Sequence, residues 1–366
     1  MDSYKAWPAD GDERAIRFTG NWREYLPIAA TNVALIIVTL GIYRFWATAR
    51  QRRYLWSRTH IVDDGLEWTG TGKEMFFGFL MVVAFILPFF VFIQFLFPAL
   101  VARGKEAAAG GLMFLFYIAF FYLAGVARFR ALRYRLSRTW WHGIRGGSDN
   151  PGWNYGGEYL GRHALSFMTM FIMYPWAATR LWNSRWKAMS FGPLQFRADL
   201  TAKGLKARWV WVYIAPLLLM AVSAAIAMIV ITAKLDGQEA DPEKMAGLGG
   251  VLGVILVLFY IVLPLATLHW YAKFYRNAAA ATTLGDIEFG FDATTWDWLK
   301  LFLGNIGLAI VTFGFGLAFW GYRQWAFMVR HMHVYGVVNL DQLTRSTVAA
   351  PREAEGWADA FDVGAI

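Results

Sequence analysis

Four stretches of this chain are so long and so free of charge that they decide most of what it can become. Residues 75–100, 110–127, 209–233 and 245–272 run for 26, 18, 25 and 28 residues without an Asp, Glu, Lys or Arg. A helix of about 20 apolar residues crosses a bilayer core. The first two are joined by a short segment containing Arg103, Lys105 and Glu106, and the last two by the polar segment 234–244. They predict two helical hairpins in a membrane. Pro88, Pro98, Pro216 and Pro264 lie inside them, where a bundle tolerates prolines as kinks. The composition agrees, with 57% hydrophobic and only 17% charged residues, against about a quarter charged in soluble domains. A soluble enzyme and a disordered chain are disfavoured. With no cysteine, disulfide scaffolds, thiolate metal sites and cysteine nucleophiles are excluded.

Three further apolar segments, 25–43, 164–179 and 301–322, are ambiguous. Charge discriminates between arrangements, because Lys and Arg gather on cytoplasmic segments. If only the two hairpins cross, the outer connections hold Arg103, Lys105, Lys234 and Lys244, and the other 31 of 35 cations lie inside. If all seven segments cross, this asymmetry almost vanishes. The contrast predicts four spans with both termini cytoplasmic. Trp22 and Trp46, and Trp298 and Trp320, bracket the outer two segments as interfacial aromatics bracket a span, so a six- or seven-span arrangement stays open. The polar N-terminal residues lack the layout of a cleavable signal peptide, and insertion is expected to use the internal segments.

The ambiguous segments are related. Residues 26–41 align without gaps on 299–314 with seven identities in 16, and both copies continue into Phe-Trp (Phe45-Trp46, Phe319-Trp320) and Arg-Gln (Arg50-Gln51, Arg323-Gln324). The middle copy is looser: Glu158-Tyr159-Leu160 echoes Glu24-Tyr25-Leu26, and Trp176-Ala177-Ala178-Thr179-Arg180 echoes Trp46 to Arg50. Ser137-Arg138-Thr139 also echoes Ser57-Arg58-Thr59. The predicted fold class is all-α and polytopic, two transmembrane hairpins alternating with three related basic-aromatic modules. The boundaries are a polar segment 1–21, module 1 at 22–74, hairpin 75–127, module 2 at 128–208, hairpin 209–272, module 3 at 273–345 and an acidic tail 346–366.

The residues Phe18-Thr19-Gly20, Glu24-Tyr25, Asn32, Thr39-Leu40-Gly41-Ile42-Tyr43, Trp46 and Arg52-Arg53-Tyr54, with Gly65 and Gly70, resemble the YjgN-like family of bacterial inner-membrane proteins. The tail from Glu355 to Gly364 resembles endings in that family. The middle module departs from the pattern, having Tyr174-Pro175 where the first has Leu40-Gly41. The resemblance implies a multi-pass protein of the bacterial inner membrane. It brings no assigned molecular activity, so no catalytic or binding residue is carried over.

Each module reads as an apolar helix, a break at Gly41, Pro175 or Gly314, and a basic amphipathic helix. Rings at Tyr43, Phe45, Trp46, Tyr54 and Trp56 interleaved with Arg44, Arg50, Arg52, Arg53 and Arg58 suit the headgroup boundary, where rings lodge and arginines reach lipid phosphate. Arg180, Arg185 and Arg323 extend this set, and the expected partners are anionic lipid headgroups, with a homo-oligomer or a cytosolic partner of the tail as further options. No nucleic-acid role is expected, since membrane flanking accounts for the basic stripes. Asn32 and Thr39 lie two helical turns apart on one face, and Asn305 and Thr312 repeat the spacing. They either line a path for a small molecule or ion beside a helix break or bond across helices as structural glue. Glu24 and Glu158 sit where carboxylates favour a helix start. His331 and His333 form a His-x-His pair with no third ligand cluster nearby, so no metal and no cofactor is expected. Asp63-Asp64 have no acid/base context, and no catalytic constellation is present. A transport or channel-like role leads the functional expectations, with a non-catalytic lipid- or partner-binding organiser as the alternative.

Overall fold

The computed structural model describes residues 4–7, 15–235 and 242–339. The acidic tail and part of the segment 234–244 lie outside the described residues. Strands β1 (Tyr4–Trp7) and β2 (Ile16–Phe18) precede helix α1 (Trp22–Val38), which Asn21 caps by accepting from the Arg23 amide. The chain turns back into α2 (Arg44–Ser57) and then makes β3 (Thr59–Ile61), β4 (Asp64–Gly65) and β5 (Glu67–Trp68). Helix α3 (Gly72–Val91) passes through a π-helical turn at Phe92–Leu96 into α4 (Phe97–Ala102). Pro98 has no amide to offer the carbonyl four residues back, and the hydrogen-bond ladder lengthens just before it. Helix α5 (Glu106–Arg138) returns and ends in β6 (Thr139–Trp141) and β7 (Ile144–Gly147). A second helix pair, α6 (Trp153–Met168) and α7 (Tyr174–Lys187), ends in β8 (Ser190–Phe191) and β9 (Leu194–Ala198). Helices α8 (Lys206–Leu235) and α9 (Pro242–Ala280) pack side by side and end in β10 (Thr282–Leu284) and β11 (Ile287–Phe291). The last pair, α10 (Thr295–Val311) and α11 (Trp320–His331), is joined by a 3-10 turn and leads into β12 (Met332–Asn339).

Four helical segments, Gly72–Ala102, Glu106–Arg138, Lys206–Ile229 and Gly253–Ala280, are long and apolar enough to cross a membrane. Their most apolar windows are between 0% and 17% buried within the protein. That much outward apolar surface is untenable in water and natural in lipid.

The chain is mostly helical, as expected, but it is not all-α. Nine strands form one antiparallel sheet in the order β1-β12-β11-β10-β9-β8-β7-β6-β5, and β2, β3 and β4 form a second. Strands β3 to β11 come from the segments that follow α2, α5, α7 and α9, while β1 and β2 precede α1 and β12 follows α11. Each such segment folds on two residues: Val62-Asp63 between Ile61 and Asp64, His142-Gly143 between Trp141 and Ile144, Gly192-Pro193 between Phe191 and Leu194, and Gly285-Asp286 between Leu284 and Ile287. Two-residue loops with a positive φ suit the right-handed twist of paired strands. A threonine marks three of the four helix-to-strand junctions: Thr59, Thr139 and Thr282 each donate Oγ1 to the carbonyl four residues back, at 2.7 to 2.8 Å.

The sheet also moves the aromatic side chains inward. Phe45, Trp56, Trp68, Trp141 and Trp270 are core residues, contrary to the headgroup position expected for the rings of module 1.

Candidate functional site

The three helix pairs turn in the same way. Thr39, Thr169 and Thr312 each donate Oγ1 to the carbonyl four residues earlier and accept from the amide four residues later. Two consecutive residues then take positive φ: Leu40-Gly41 (51° and 92°), Met170-Phe171 (49° and 65°) and Phe313-Gly314 (50° and 91°). Glycine suits the second position because its φ near 90° strains any side chain. In module 2 the angle falls to 65°, inside the left-handed basin, and phenylalanine takes the place. The middle break is therefore at Met170-Phe171, and Pro175 stands instead in the first turn of α7, where its missing amide costs nothing. Every turn exposes apolar side chains at its tip, including Leu40, Met170 and Phe313 at 94%, 70% and 100%. The helices return on themselves: Glu24 at the start of α1 bonds Arg58 just past the end of α2 at 2.8 Å.

Module 3 closes against module 1. Tyr25 donates to the Ala318 carbonyl at 3.2 Å and stacks on Tyr322, whose hydroxyl donates to the Gly20 carbonyl at 3.0 Å. Trp325 stacks on Trp56 with ring centroids 4.1 Å apart and donates Nε1 to Thr59 at 2.8 Å. Trp56 in turn donates to Thr139 at 2.9 Å, and Trp182 to Thr282 at 3.1 Å. A tryptophan from each module's second helix thus bonds the threonine that opens a neighbouring hairpin.

Between modules 1 and 3 lies a cavity of about 700 Å³. Its walls include Tyr25, Ala29, Val33, Ile36, Leu317 and Met328, and its polar groups include Asn32, Thr48, Gln51, Gln324 and three arginines, Arg44, Arg52 and Arg135. No Asp or Glu is among its described lining residues. Asn32 is 6% exposed, donates Nδ2 to the Ala47 carbonyl at 3.4 Å, and leaves Oδ1 without a hydrogen-bond partner. A buried carbonyl without a partner is costly, so this oxygen calls for a donor. Asn305 repeats the situation in module 3, 4% exposed with its Oδ1 unpartnered. Thr39 and Thr312 do not extend these amides into a polar lane, because their hydroxyls are committed to the turns. Among the other basic positions, Arg50, Arg53, Arg58 and Arg180 are exposed, Arg323 is half-buried, and Arg52 and Arg185 are buried, away from the surface position expected of them.

Several charged contacts had no sequence signal. Glu74 at the start of α3 accepts from Tyr134 at 2.7 Å and from Arg138 at 2.9 Å, tying two apolar helices at their sheet ends. Asp63 at a hairpin turn bonds His142 at 3.1 Å in the next one. His331 and His333 both reach one carboxylate, Asp292, at 2.6 and 2.9 Å, and so fasten β12 to the end of β11. No group of three or more potential metal ligands occurs among the described residues.

Burial alone would raise the Asp292 pKa, but hydrogen bonds from His333 and His331 outweigh it and hold the carboxyl below its ordinary value. A depressed carboxylate pKa contributes stability that is present at neutral pH and lost as pH falls through the folded value. The protection factors of the β12 amides, the slowing of their exchange relative to an unstructured chain at the same pH, should accordingly be high at pH 7 and fall as pH drops below about 4. Asp292→Asn should give low protection at both, and unchanged β12 protection in that variant would refute the clasp.

A sequence model of the family described as "Bacterial protein of unknown function (DUF898)" matches residues 13–360. Inner membrane protein YjgN of Escherichia coli O157:H7 is 37% identical over 68 residues, 19% of this chain and 17% of that protein. The namesake of Escherichia coli K12 is 28% identical over 128 residues, 35% of this chain and 29% of that protein. That of Salmonella typhimurium is 32% identical over 73 residues, 20% of this chain and 18% of that protein. The matches thus span less than a third of these relatives' lengths. No solved structure matches the chain. The family match covers nearly the whole fold described above, including all three modules, all four apolar helices and eleven of the twelve strands. The chain belongs to the DUF898 family of bacterial proteins of unknown function, and part of it resembles inner membrane protein YjgN.

Proposed function

We propose that this is an inner-membrane protein whose modules bind an anionic amphiphile of the lipid-phosphate class. The name of its relatives and the four apolar helices support the location. In this reading the sheet, the modules and both chain ends face the cytoplasm, because 31 of the 35 cations lie on that side of the four spans. A reporter fused after Lys187 should then read cytoplasmic, and a periplasmic reading would reject the arrangement. The apolar tips of the modules dip into the cytoplasmic leaflet and return.

The observation that carries the binding role is the buried, unpartnered Oδ1 of Asn32 in a cavity also lined by three guanidinium groups. A phosphate meets Arg44, Arg52 and Arg135, for which guanidinium is the preferred partner. A headgroup hydroxyl or amine supplies the donor that Asn32 lacks. The apolar remainder lies against Val33, Ile36 and Leu317, toward the exposed tip. The test is lipid retention through purification in neutral detergent, read by native mass spectrometry. Wild type should retain phosphatidylglycerol over phosphatidylcholine, and Asn32→Leu with Arg44→Gln should reduce retention about ten-fold, as loss of charge-assisted hydrogen bonds implies. Equal retention of the two lipids by wild type would sink the reading.

A second reading, passage of a small solute or ion, is favoured by the matching unpartnered amides Asn32 and Asn305. It requires Asn32→Leu and Asn305→Leu to abolish flux in proteoliposomes while abundance holds. Variants that fail to accumulate would mark these amides as structural.

A further inference from the structure

Module 2 contains a buried charge that the cavity between modules 1 and 3 does not account for. Arg185 on α7 is 6% exposed, and its Nε has no hydrogen-bond partner. No hydrogen bond or ion pair to it is formed by any described residue; what it touches is the Trp182 ring, 5.7 Å from its guanidinium carbon. A guanidinium keeps its charge at any physiological pH, and a buried charge must be paired. The charged groups in its electrostatic neighbourhood are Arg128 and Arg135, both of the same sign, and they add to the cost rather than relieving it. Arg128 is exposed and lies over the Tyr159 ring at 5.7 Å, so the cluster opens outward there. Tyr155 and Tyr275 are near enough to Arg185 to act on its charge, and Tyr155 is itself buried beside Phe129 and Tyr159.

We propose that module 2 binds a tetrahedral oxyanion of the phosphate class between Arg185 and Arg128, with the hydroxyls of Tyr155 and Tyr275 as further donors. The planar fork of a guanidinium matches two oxygens of such an anion. One bound oxyanion would neutralise the repulsion between the arginines and complete the hydrogen bonding of Nε. None of these four residues lines the cavity at modules 1 and 3, although Arg135 lies near both, and the binding does not depend on the lipid reading of that cavity. The anion can be free phosphate or the phosphate of a lipid headgroup.

The experiment uses full-length protein in neutral detergent and in nanodiscs, following the unfolding midpoint. Inorganic phosphate is titrated against potassium chloride at matched ionic strength, and phosphatidylcholine nanodiscs are compared with ones containing phosphatidylglycerol. A saturable rise in midpoint with phosphate identifies the free anion, and a rise only with phosphatidylglycerol identifies the headgroup. Arg128→Gln, at an exposed position, should weaken the response about ten-fold. Arg185→Lys keeps the charge, loses the fork, and should weaken it similarly; if it does not accumulate, Arg128→Gln decides alone. Asn32→Leu, which alters the other cavity, should leave the response intact. Absence of a saturable rise with either source, or an undiminished rise in Arg128→Gln, would overturn the proposal.

Discussion

Gly156→Leu is expected to prevent module 2 from docking on the second apolar helix. A side chain at this position would meet the Val126 Cγ2 atom at 2.6 Å and the Tyr122 carbonyl oxygen at 2.9 Å. The facing residue on α5 is also glycine: a side chain at Gly125 would strike the Tyr159 Cβ and, at 3.1 Å, the Gly156 Cα. Small residues let two backbones approach this closely in a membrane, and one of the obstructing atoms belongs to backbone, which cannot rotate away. The cost should be about 3 kcal/mol or more, the upper range for overpacking. Because the chain has no cysteine, docking can be read directly by cross-linking Tyr122→Cys with Trp153→Cys, whose rings stack with centroids 6.4 Å apart. The pair should cross-link efficiently with Gly156 and poorly with Gly156→Leu. Equal cross-linking and equal thermal stability would show that the close approach does not matter.

Trp56→Ala should be comparably damaging for a different reason. Trp56 is 3% exposed, stacks on Trp325, packs edge-on against Trp68 at 5.1 Å and bonds Thr139. It therefore joins module 3, strand β5 and the end of α5 at once. Truncating a buried tryptophan costs about 3–5 kcal/mol, against a total of about 5–15 for a typical domain. Trp56→Phe keeps most of the packing and gives up the hydrogen bond, a loss of about 1 kcal/mol. Thermal unfolding in detergent should rank wild type, Trp56→Phe and Trp56→Ala in that order. An alanine variant within about 1 kcal/mol of wild type would mean that modules 1 and 3 are held together elsewhere.

The apolar helices were legible in the sequence because length without charge is a property of composition, and residues 75–100 can hardly do anything else. The relation between α1 and α10 was also legible, since Asn32 and Thr39 recur as Asn305 and Thr312 in an unbroken register. The middle module was harder. Pro175 draws the eye as a helix breaker, while the actual turn uses Met170 and Phe171, two residues that rarely adopt left-handed backbone. The strands left little trace, because apart from the eight-residue β12 they run for only two to five residues, too few to show alternation. Their partners also lie far along the chain, as with Trp68 and Thr139. Glycines at Gly143, Gly192 and Gly285, each a few residues past the end of a helix, were the available hint of hairpins. The cavity was out of reach for a related reason: it forms where Asn32 meets a segment nearly three hundred residues later. Nor could alternating arginines and rings show which guanidinium groups would be covered. The same pattern leaves Arg180 on the surface and buries Arg185 five residues on.

The strand order has a temporal meaning. From β5 to β12 the large sheet is laid down strictly in the order in which a ribosome delivers its strands, and β1 alone arrives early and must wait. From the first apolar helix pair onward, each helix pair is followed by strands that join the edge left by the strands before them. Synthesis and assembly can therefore advance together, as domains fold from the N-terminal side during translation. A chain interrupted near Ala198 would keep β9 as an open edge, whose unpaired amides and carbonyls invite the strands of other chains. In the whole chain β10 covers that edge, each later strand passes the growing edge on, and the meeting of β12 with β1 stops the growth, leaving β1 and β5 as the edges of the finished sheet.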